Sequence, residues 1–335
     1  MKAVIIYDRI VEVGGSPDQR DVLEQAKTVR ETLAELGFES ATLPFSLDLK
    51  SFIESIRNLR PDLVFNLVES VEGHGRLLYL ASAILDFLGI SYTGSQTEAL
   101  YLTTSKLLTK KILTSSGIKT PRSVSEDDLR KGAGPVHGHY IIKSVWEHAS
   151  VGLDEDSVIS ATDPDQLLSE LRLRKEKTAG ECFAEEYIEG REFNLSVLAS
   201  QRGPEVLPPA ELRFEGYPPG KWRVVGYRAK WDDASFESLH TRRSFDFEQS
   251  DRPLLRQLKD ISKTCWQLFA LKGYARVDFR VDEKNQPWVL EINANPCLSP
   301  DAGFMAAAAQ AGLDYEQVVQ RIIQDSGIPG HLWED

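Results

Sequence analysis

Cysteine is scarce. The three in 335 residues, Cys182, Cys265 and Cys297, lie far apart, with no CxxC spacing and no histidine set as a second ligand. That excludes a disulfide scaffold and a structural zinc site, and fits reduced, mostly buried thiols in a cytoplasmic protein. Long apolar runs are missing too, so no segment is expected to span a bilayer. The opening Met1-Lys-Ala-Val-Ile-Ile-Tyr-Asp8 is too short for a secretory signal and reads as a first strand. Positive charge is in deficit: 39 Lys and Arg face 51 Asp and Glu, a net charge of −12. The basic residues are scattered apart from short groups at Arg172 to Lys177 and at Arg242-Arg243. A nucleic-acid surface, which needs clustered cations, is therefore not expected. Repeats and low-complexity tracts are absent as well.

What is present reads as a chain long enough for two or three small cores. Strands at Lys2 to Tyr7, Phe38 to Leu43 and Pro61 to Leu67 alternate with helices from about Asp18, at Leu49 to Leu59 and at Leu77 to Leu88. Gly37 and Gly89 act as helix stops. Strand alternating with helix predicts a parallel α/β domain over residues 1–95. Two helices, around Thr97 and at Ser105 to Ser116, lead into an α+β unit over 96–190. Its strands are expected at Tyr140 to Val145, Ser157 to Ser160 and Phe183 to Ile188, with a helix at Asp165 to Lys175. A third unit, 191–335, opens on the strand Glu192 to Ala199 and carries a long mixed stretch, Phe214 to Phe247, of the kind that forms lids. A helix from Pro253 to Leu271 precedes its most informative segment.

That segment is Arg276-Val-Asp278-Phe-Arg280-Val-Asp282, a polar break, then Trp288-Val-Leu-Glu291-Ile-Asn293-Ala-Asn295-Pro296. Both halves alternate as strands, and a turn over Glu283 to Gln286 sets Asp282 opposite Pro287, Asp278 opposite Glu291 and Arg276 opposite Asn293. Alternation then puts Arg276, Asp278, Glu291 and Asn293 on one face. Val277, Phe279, Val281, Trp288, Leu290 and Ile292 take the other, as core. Two carboxylates directly opposite each other repel, a conflict that a hard cation resolves. The competing reading is a solvated face whose acids pair with Arg276 and Arg280.

Other pieces suit a nucleotide. Tyr140-Ile-Ile-Lys143 delivers a lysine at a strand end, before the small-residue loop that holds Ser150 and Gly152, a geometry able to fold N–H groups over phosphates. Phe183-Ala-Glu185-Glu186-Tyr187-Ile188-Glu189-Gly190-Arg-Glu192 is a strand ending in acids, a turn and a second strand. Its backbone edge can meet an adenine and its carboxylates a ribose.

Together with Leu88-Gly-Ile-Ser-Tyr-Thr-Gly-Ser95, Ser105-Lys106-Leu107 and Ala229-Lys230-Trp231, these segments resemble the ATP-grasp superfamily, most closely its D-alanine–D-alanine ligase branch. The resemblance covers nearly the whole chain. It implies an ATP-grasp fold of mixed α/β and α+β character behind a parallel α/β pre-ATP-grasp domain. It further implies a carbon–nitrogen ligase that forms an amide or peptide bond through an acyl phosphate. Lys106, Lys143 and Lys230 are expected at the phosphates, with Glu185, Glu186, Tyr187, Ile188 and Glu192 around the nucleoside. Asp278, Glu291 and Asn293 are expected to hold two magnesium ions, manganese being an alternative. Arg276, Ser150 and Lys230 are the expected catalytic groups, under a lid at Tyr227 to Leu239. A phosphoryl transferase of kinase type, or a non-catalytic nucleotide sensor, is the alternative.

The substrate half departs from the branch. Gln19, between Asp18 and Asp21, stands where an acid is expected for the first substrate's ammonium. Asn66-Leu-Val-Glu69-Ser-Val-Glu72-Gly-His74-Gly75 replaces a histidine-glycine segment, and Cys297-Leu298 stands where glycine is usual. No serine matches clearly between Ser299 and Gly303. The expected substrate is accordingly an amino acid or short peptide that need not be D-alanine, with no nucleic-acid or membrane partner. A homodimer through the apolar Leu77 to Leu88 helix is the candidate assembly.

Overall fold

The computed structural model describes residues 1–9, 17–132, 134, 136–147, 152–178 and 180–328, and the side chains of 17–20 and 177–178 are left aside. Ser150 lies outside the described residues.

The first unit is built on three parallel strands, β1 (Lys2–Asp8), β2 (Glu39–Phe45) and β3 (Leu63–Asn66), in the order β2-β1-β3. Alternation along β1 divides its side chains between two cores. Val4 and Ile6 pack with Phe52, Ile56, Ala81 and Leu85 from the helices Leu49–Leu59 and Tyr79–Leu88. Ala3 and Ile5 pack on the other side with Val29 and Leu33 of the helix Pro17–Glu35. Asp48 caps the second helix by accepting from Ser51 N at 3.1 Å, a contact that satisfies one of its orphan donors. Gly89, at φ 65, closes the third.

Four antiparallel strands form the second sheet: β4 (Ser123–Ser125), β5 (Gly138–Ser144), β6 (Val158–Ala161) and β7 (Cys182–Glu186), in the order β4-β7-β5-β6. The helix Pro164–Thr178 covers one face through Leu167 and Leu171. The short β4 has no counterpart in the sequence reading, since three residues carry no periodicity.

The third sheet runs β11-β10-β8-β12-β13 with β9 paired to β8, from β8 (Arg191–Leu198), β9 (Glu205–Val206), β10 (Ala210–Phe214), β11 (Thr241–Ser244), β12 (Tyr274–Val281) and β13 (Pro287–Asn293). One face packs Phe193, Leu195, Val277 and Phe279 against Leu254, Leu258 and Trp266 of the helix Arg252–Leu268. That burial leaves the other face for polar residues. The stretch read as irregular from Phe214 to Phe247 contains β11 and two short helices, Tyr227–Trp231 and Phe236–His240. Gly190 lies at the crossing into β8 with φ 145, and a Cβ there would sit 2.0 Å from the Val281 carbonyl oxygen. Only glycine fits both that conformation and that approach.

Candidate active site

The hairpin of β12 and β13 holds the pairs Arg276↔Asn293 and Asp278↔Glu291 in direct register. Toward the turn, the register differs from the expectation. Val281 faces Pro287 and Arg280 faces Trp288, because the ladder shifts between Asp278 and Phe279. The loop is one residue longer than expected: Asp282 N donates to Gln286 O at 3.1 Å, and Asn285 takes φ 56. Asp282 Oδ1 also accepts from the N–H groups of Lys284 and Gln286, each at 2.9 Å. The bulge absorbs the extra residue at Leu290. Val289 is therefore buried in the core, whereas Trp288 is half-buried and Leu290 lines a cleft. The expected core positions of Trp288 and Leu290 are corrected accordingly.

Asp278 is 6 % exposed, so it does not belong to a solvated face. Arg276 grips it with two bonds, Nε to Oδ1 and Nη2 to Oδ2, both at 2.8 Å. Asn194 Nδ2 donates to Oδ1 at 2.7 Å. Glu291 lies 3.8 Å from Lys106 Nζ and 4.0 Å from Arg276 Nη2. Arg280 pairs instead with Glu192 at 2.8 Å. Burial pushes the Asp278 carboxyl up, Arg276 pulls it back, and Glu291 pushes it up again. A carboxylate offers more acceptor positions than those donors fill. Two opposed acids beside the amide of Asn293 therefore fit a hard divalent cation, although among the described residues no group of three His, Cys, Asp or Glu forms a metal cluster.

An open cleft with a cavity volume of about 60 Å³ lies beside this face, lined among others by Ile141, Lys143, Tyr187, Ile188, Val224 and Leu290. Glu185, Glu186 and Glu192 also line it. Glu185, 1 % exposed, receives Lys143 Nζ on Oε1 at 2.6 Å and Lys110 on Oε2. Burial alone would raise its pKa, but the two ammonium groups outweigh that and hold it below the ordinary carboxylate value. Both oxygens thus bind protein cations, while the residue still lines the cleft. Glu186 is near Arg122, at 3.8 Å. The Tyr187 hydroxyl donates to Arg223 O at 3.1 Å, and its ring meets Trp222 edge-on. Arg280 lies over the Tyr187 and Phe214 rings.

Lys106 Nζ donates to Glu147 O at 2.6 Å. Burial lowers its pKa, and Glu291 partly restores it. Lys230 lies on the short helix Tyr227–Trp231 with its side chain open to solvent. Protein still crowds it on enough sides for desolvation to lower its pKa, aided by Arg276 and opposed by Glu291, Asp278 and Glu192. Lys106 and Lys230 thus converge on the acidic hairpin, and Lys143 lies near Lys106 while holding Glu185. The lid segment rests on the second sheet: Tyr227 N donates to Leu153 O at 2.7 Å, and Lys221 bridges Glu155 and Glu237.

Sequence reasoning missed Lys110, Asn194 and the pairing role of Arg280. Lys110 carried the best signal, standing four residues from Lys106 on one helix face. The pair reads equally well as a solvated stripe.

Across the hairpin from the cleft lies an acidic corner. Asp8 accepts from Glu69 N at 2.8 Å and from Ser70 Oγ at 2.6 Å, and Gln25 Nε2 donates to Glu69 at 3.3 Å. Asp21 accepts from Ser299 Oγ at 2.6 Å and from Cys297 Sγ at 2.9 Å. The side chains of Asp18 and Gln19 lie outside the described residues. Glu69 lines a small cavity with Asn293 and Asn295, whereas Glu72 is half-buried and does not line it.

Desolvation, with Asp8 beside it, pushes Glu69 from 4.5 to about 8. Asp8 rises to about 6, mainly through burial. In the ligand-free protein the folded state then holds protons that the unfolded chain has released. Stability should fall as pH rises from about 4.5 to about 8. Glu69→Gln should flatten that slope in urea denaturation followed across this range. An unchanged slope would remove Glu69 from the explanation.

The family model for the D-ala D-ala ligase C-terminus matches residues 135–324. An uncharacterized protein, y4sG, of Sinorhizobium fredii is 31 % identical over 312 residues, covering 89 % of this chain and 86 % of that one. A D-alanine–D-alanine ligase of Aquifex aeolicus is 28 % identical over 320 residues, covering 94 % of this chain and 99 % of that one. Among solved structures, the D-alanine–D-alanine ligase from Bacillus anthracis complexed with ATP superposes with a TM-score of 0.71 at 21 % identity, covering 97 % of both chains. That likeness establishes a shared ATP-grasp fold.

Proposed function

The chain belongs to the D-alanine–D-alanine ligase family of ATP-grasp carbon–nitrogen ligases, and from that premise we propose that it joins the carboxylate of one amino acid or short peptide to the amine of another at the expense of ATP. The observation that carries this reading is the facing pair Asp278 and Glu291 on one sheet face, with Arg276, Lys106 and Lys230 around them.

A carboxylate is a poor electrophile until phosphorylated. Its oxygen attacks the γ-phosphorus, the bond to ADP breaks, and an acyl phosphate forms. The amine then attacks the carbonyl carbon, phosphate leaves, and the amine loses its proton. Asp278, Glu291 and Asn293 would hold magnesium, which would supply charge neutralisation at the phosphates. Lys106, Lys143 and Lys230 neutralise the remaining charge and fix the phosphates in line. Glu185, held by Lys110 and Lys143, positions Lys143 rather than touching ATP. Tyr187, Ile188 and Glu192 line the nucleoside end, with Glu186 at its rim. Arg276, a permanently charged planar fork, steadies charge on the reacting carbonyl and phosphate. The segment Tyr227 to Leu239 excludes water from the labile acyl phosphate.

The half-buried acids Asp8 and Glu69 support a first substrate bearing an amine, because a cation entering there relieves their mutual repulsion. Glu69 and Asp21 take over the role that Gln19 cannot fill with a neutral side chain. A cytoplasmic setting belongs to the same reading, supported by the absence of any disulfide among Cys182, Cys265 and Cys297. Among the described residues no helix is long and apolar enough to cross a membrane. A homodimer through the helix Tyr79–Leu88 is supported by Phe87, which is 79 % exposed beside the buried Ala81 and Leu85. Light scattering at known concentration tests it.

The test of function is phosphate release from ATP and magnesium across a panel of D and L amino acids, with products read by mass. ADP, phosphate and an amide in equal amounts are expected. A stable phosphorylated product without amide, or hydrolysis indifferent to every amino acid, would contradict the reading.

A further inference from the structure

The register of the third sheet separates two adjacent arginines. Arg243 on β11 faces Leu212, Leu212 faces Glu192, and Glu192 faces Arg280. Directly paired residues project to the same side, so Arg243 shares the face that carries Asp278 and Arg276. Arg242, opposite Arg213, points to the other side.

The Arg243 guanidinium lies against Gly303, where a Cβ would approach its Nη2 to 3.3 Å. Arg243 is exposed in the ligand-free protein, yet the surrounding protein lowers its pKa by desolvation, Arg276 lowers it further, and Asp301 opposes them. No hydrogen bond or ion pair engages Arg243 among the described residues. Arg276, its neighbour in the field, is already committed to Asp278.

The loop from Cys297 to Gly303 connects two opposite electrostatic settings. Cys297 and Ser299 at one end donate to Asp21, and Leu298 N donates to Gln25 at 2.9 Å. Gly303 at the other end meets Arg243. A molecule with an ammonium cannot use the Arg243 end, but a carboxylate can. The phosphates have their own cations in Lys106, Lys143 and Lys230, so the anion left for Arg243 belongs to the other reactant.

We propose that Arg243 is the specificity-determining residue that holds a carboxylate of the amine-donating substrate, so that the acceptor is an amino acid rather than a simple amine or a carboxamide. The inference deepens the ligase reading and rests on it. It goes beyond it in naming a residue of this chain and the chemical group that residue reads. Gly303 belongs to the same device, because a larger side chain there would displace the guanidinium.

The experiment compares wild type with Arg243→Gln, Arg243→Lys and Arg242→Gln, using D and L amino acids and their carboxamides as acceptors. Losing one charged pair should raise the KM of amino-acid acceptors by about 10- to 100-fold in Arg243→Gln. The KM for ATP and the response to carboxamides should stay unchanged. Arg243→Lys should recover part of the loss, keeping charge without the fork, and Arg242→Gln should match wild type.

A second readout needs no turnover: the rise in thermal midpoint that each acceptor gives in the presence of ADP. Amino acids should raise it more than carboxamides in wild type, and the difference should vanish in Arg243→Gln. Failure of ligation with this midpoint pattern intact would count against the ligase reading alone. Equal shifts by amino acids and carboxamides in wild type would overturn the role of Arg243. So would an unchanged acceptor KM in Arg243→Gln, or an equal rise in the KM for ATP.

Discussion

Glu291→Gln should lower kcat by about 10²- to 10³-fold, the scale lost when one preorganised charge-stabilising group is removed from an active site. The substitution keeps the shape of the side chain and removes its charge. It also removes the repulsion across the hairpin, since Glu291 is one of the groups that raise Asp278. The folded protein should therefore be as stable as wild type or slightly more so, which separates loss of chemistry from loss of fold. The magnesium concentration for half-maximal activity should rise together with the fall in kcat. Wild-type kcat at the same magnesium dependence would deny Glu291 a part in the reaction.

Glu185→Ala should cost about 3 to 5 kcal/mol of stability, the scale for leaving a buried charge without its partner. Lys110 is 3 % exposed, and Lys143 shares the same carboxylate. Without Glu185, the buried Lys110 keeps Lys143 as a neighbouring cation with no counter-charge between them, and that neighbour disfavours its charge. Adding Lys110→Met to Glu185→Gln should recover part of the loss, because an apolar side chain needs no counter-charge. Urea denaturation of the ligand-free variants reads both effects. A loss below 1 kcal/mol in Glu185→Ala would mean that Glu185 serves the nucleotide rather than the two lysines.

Much of the architecture was legible because it rests on short-range periodicity. The switch from strand–helix alternation before Ser95 to strand-rich units after it follows from residue spacing alone. The acidic hairpin was legible for the same reason: Asp278 and Glu291 face each other in the register that the alternation requires. Its turn end was not, since the compensating bulge at Leu290 has no glycine or proline to announce it. That single residue moved Val289 into the core and Leu290 to the cleft.

The site was legible in its parts and opaque in its pairings. Lys106, Lys143 and Lys230 could be chosen one by one, yet nothing local indicates that Lys143 shares Glu185 with Lys110. Arg280, a partner for the hairpin acids only in the competing solvated-face reading, holds Glu192, which β8 sets directly opposite it. Arg242 and Arg243 were indistinguishable until the pairing of β11 with β10 assigned each to a face. Partners brought together by non-local strand pairing leave no mark on either segment alone.

The most direct test is a crystal structure with a non-hydrolysable ATP analogue and manganese, which gives an anomalous signal. The account predicts at least one peak bridging Asp278 and Glu291, at about 2 Å from their oxygens and in contact with the terminal phosphates. Nucleotide bound in the cleft with no ion between those two carboxylates would contradict it.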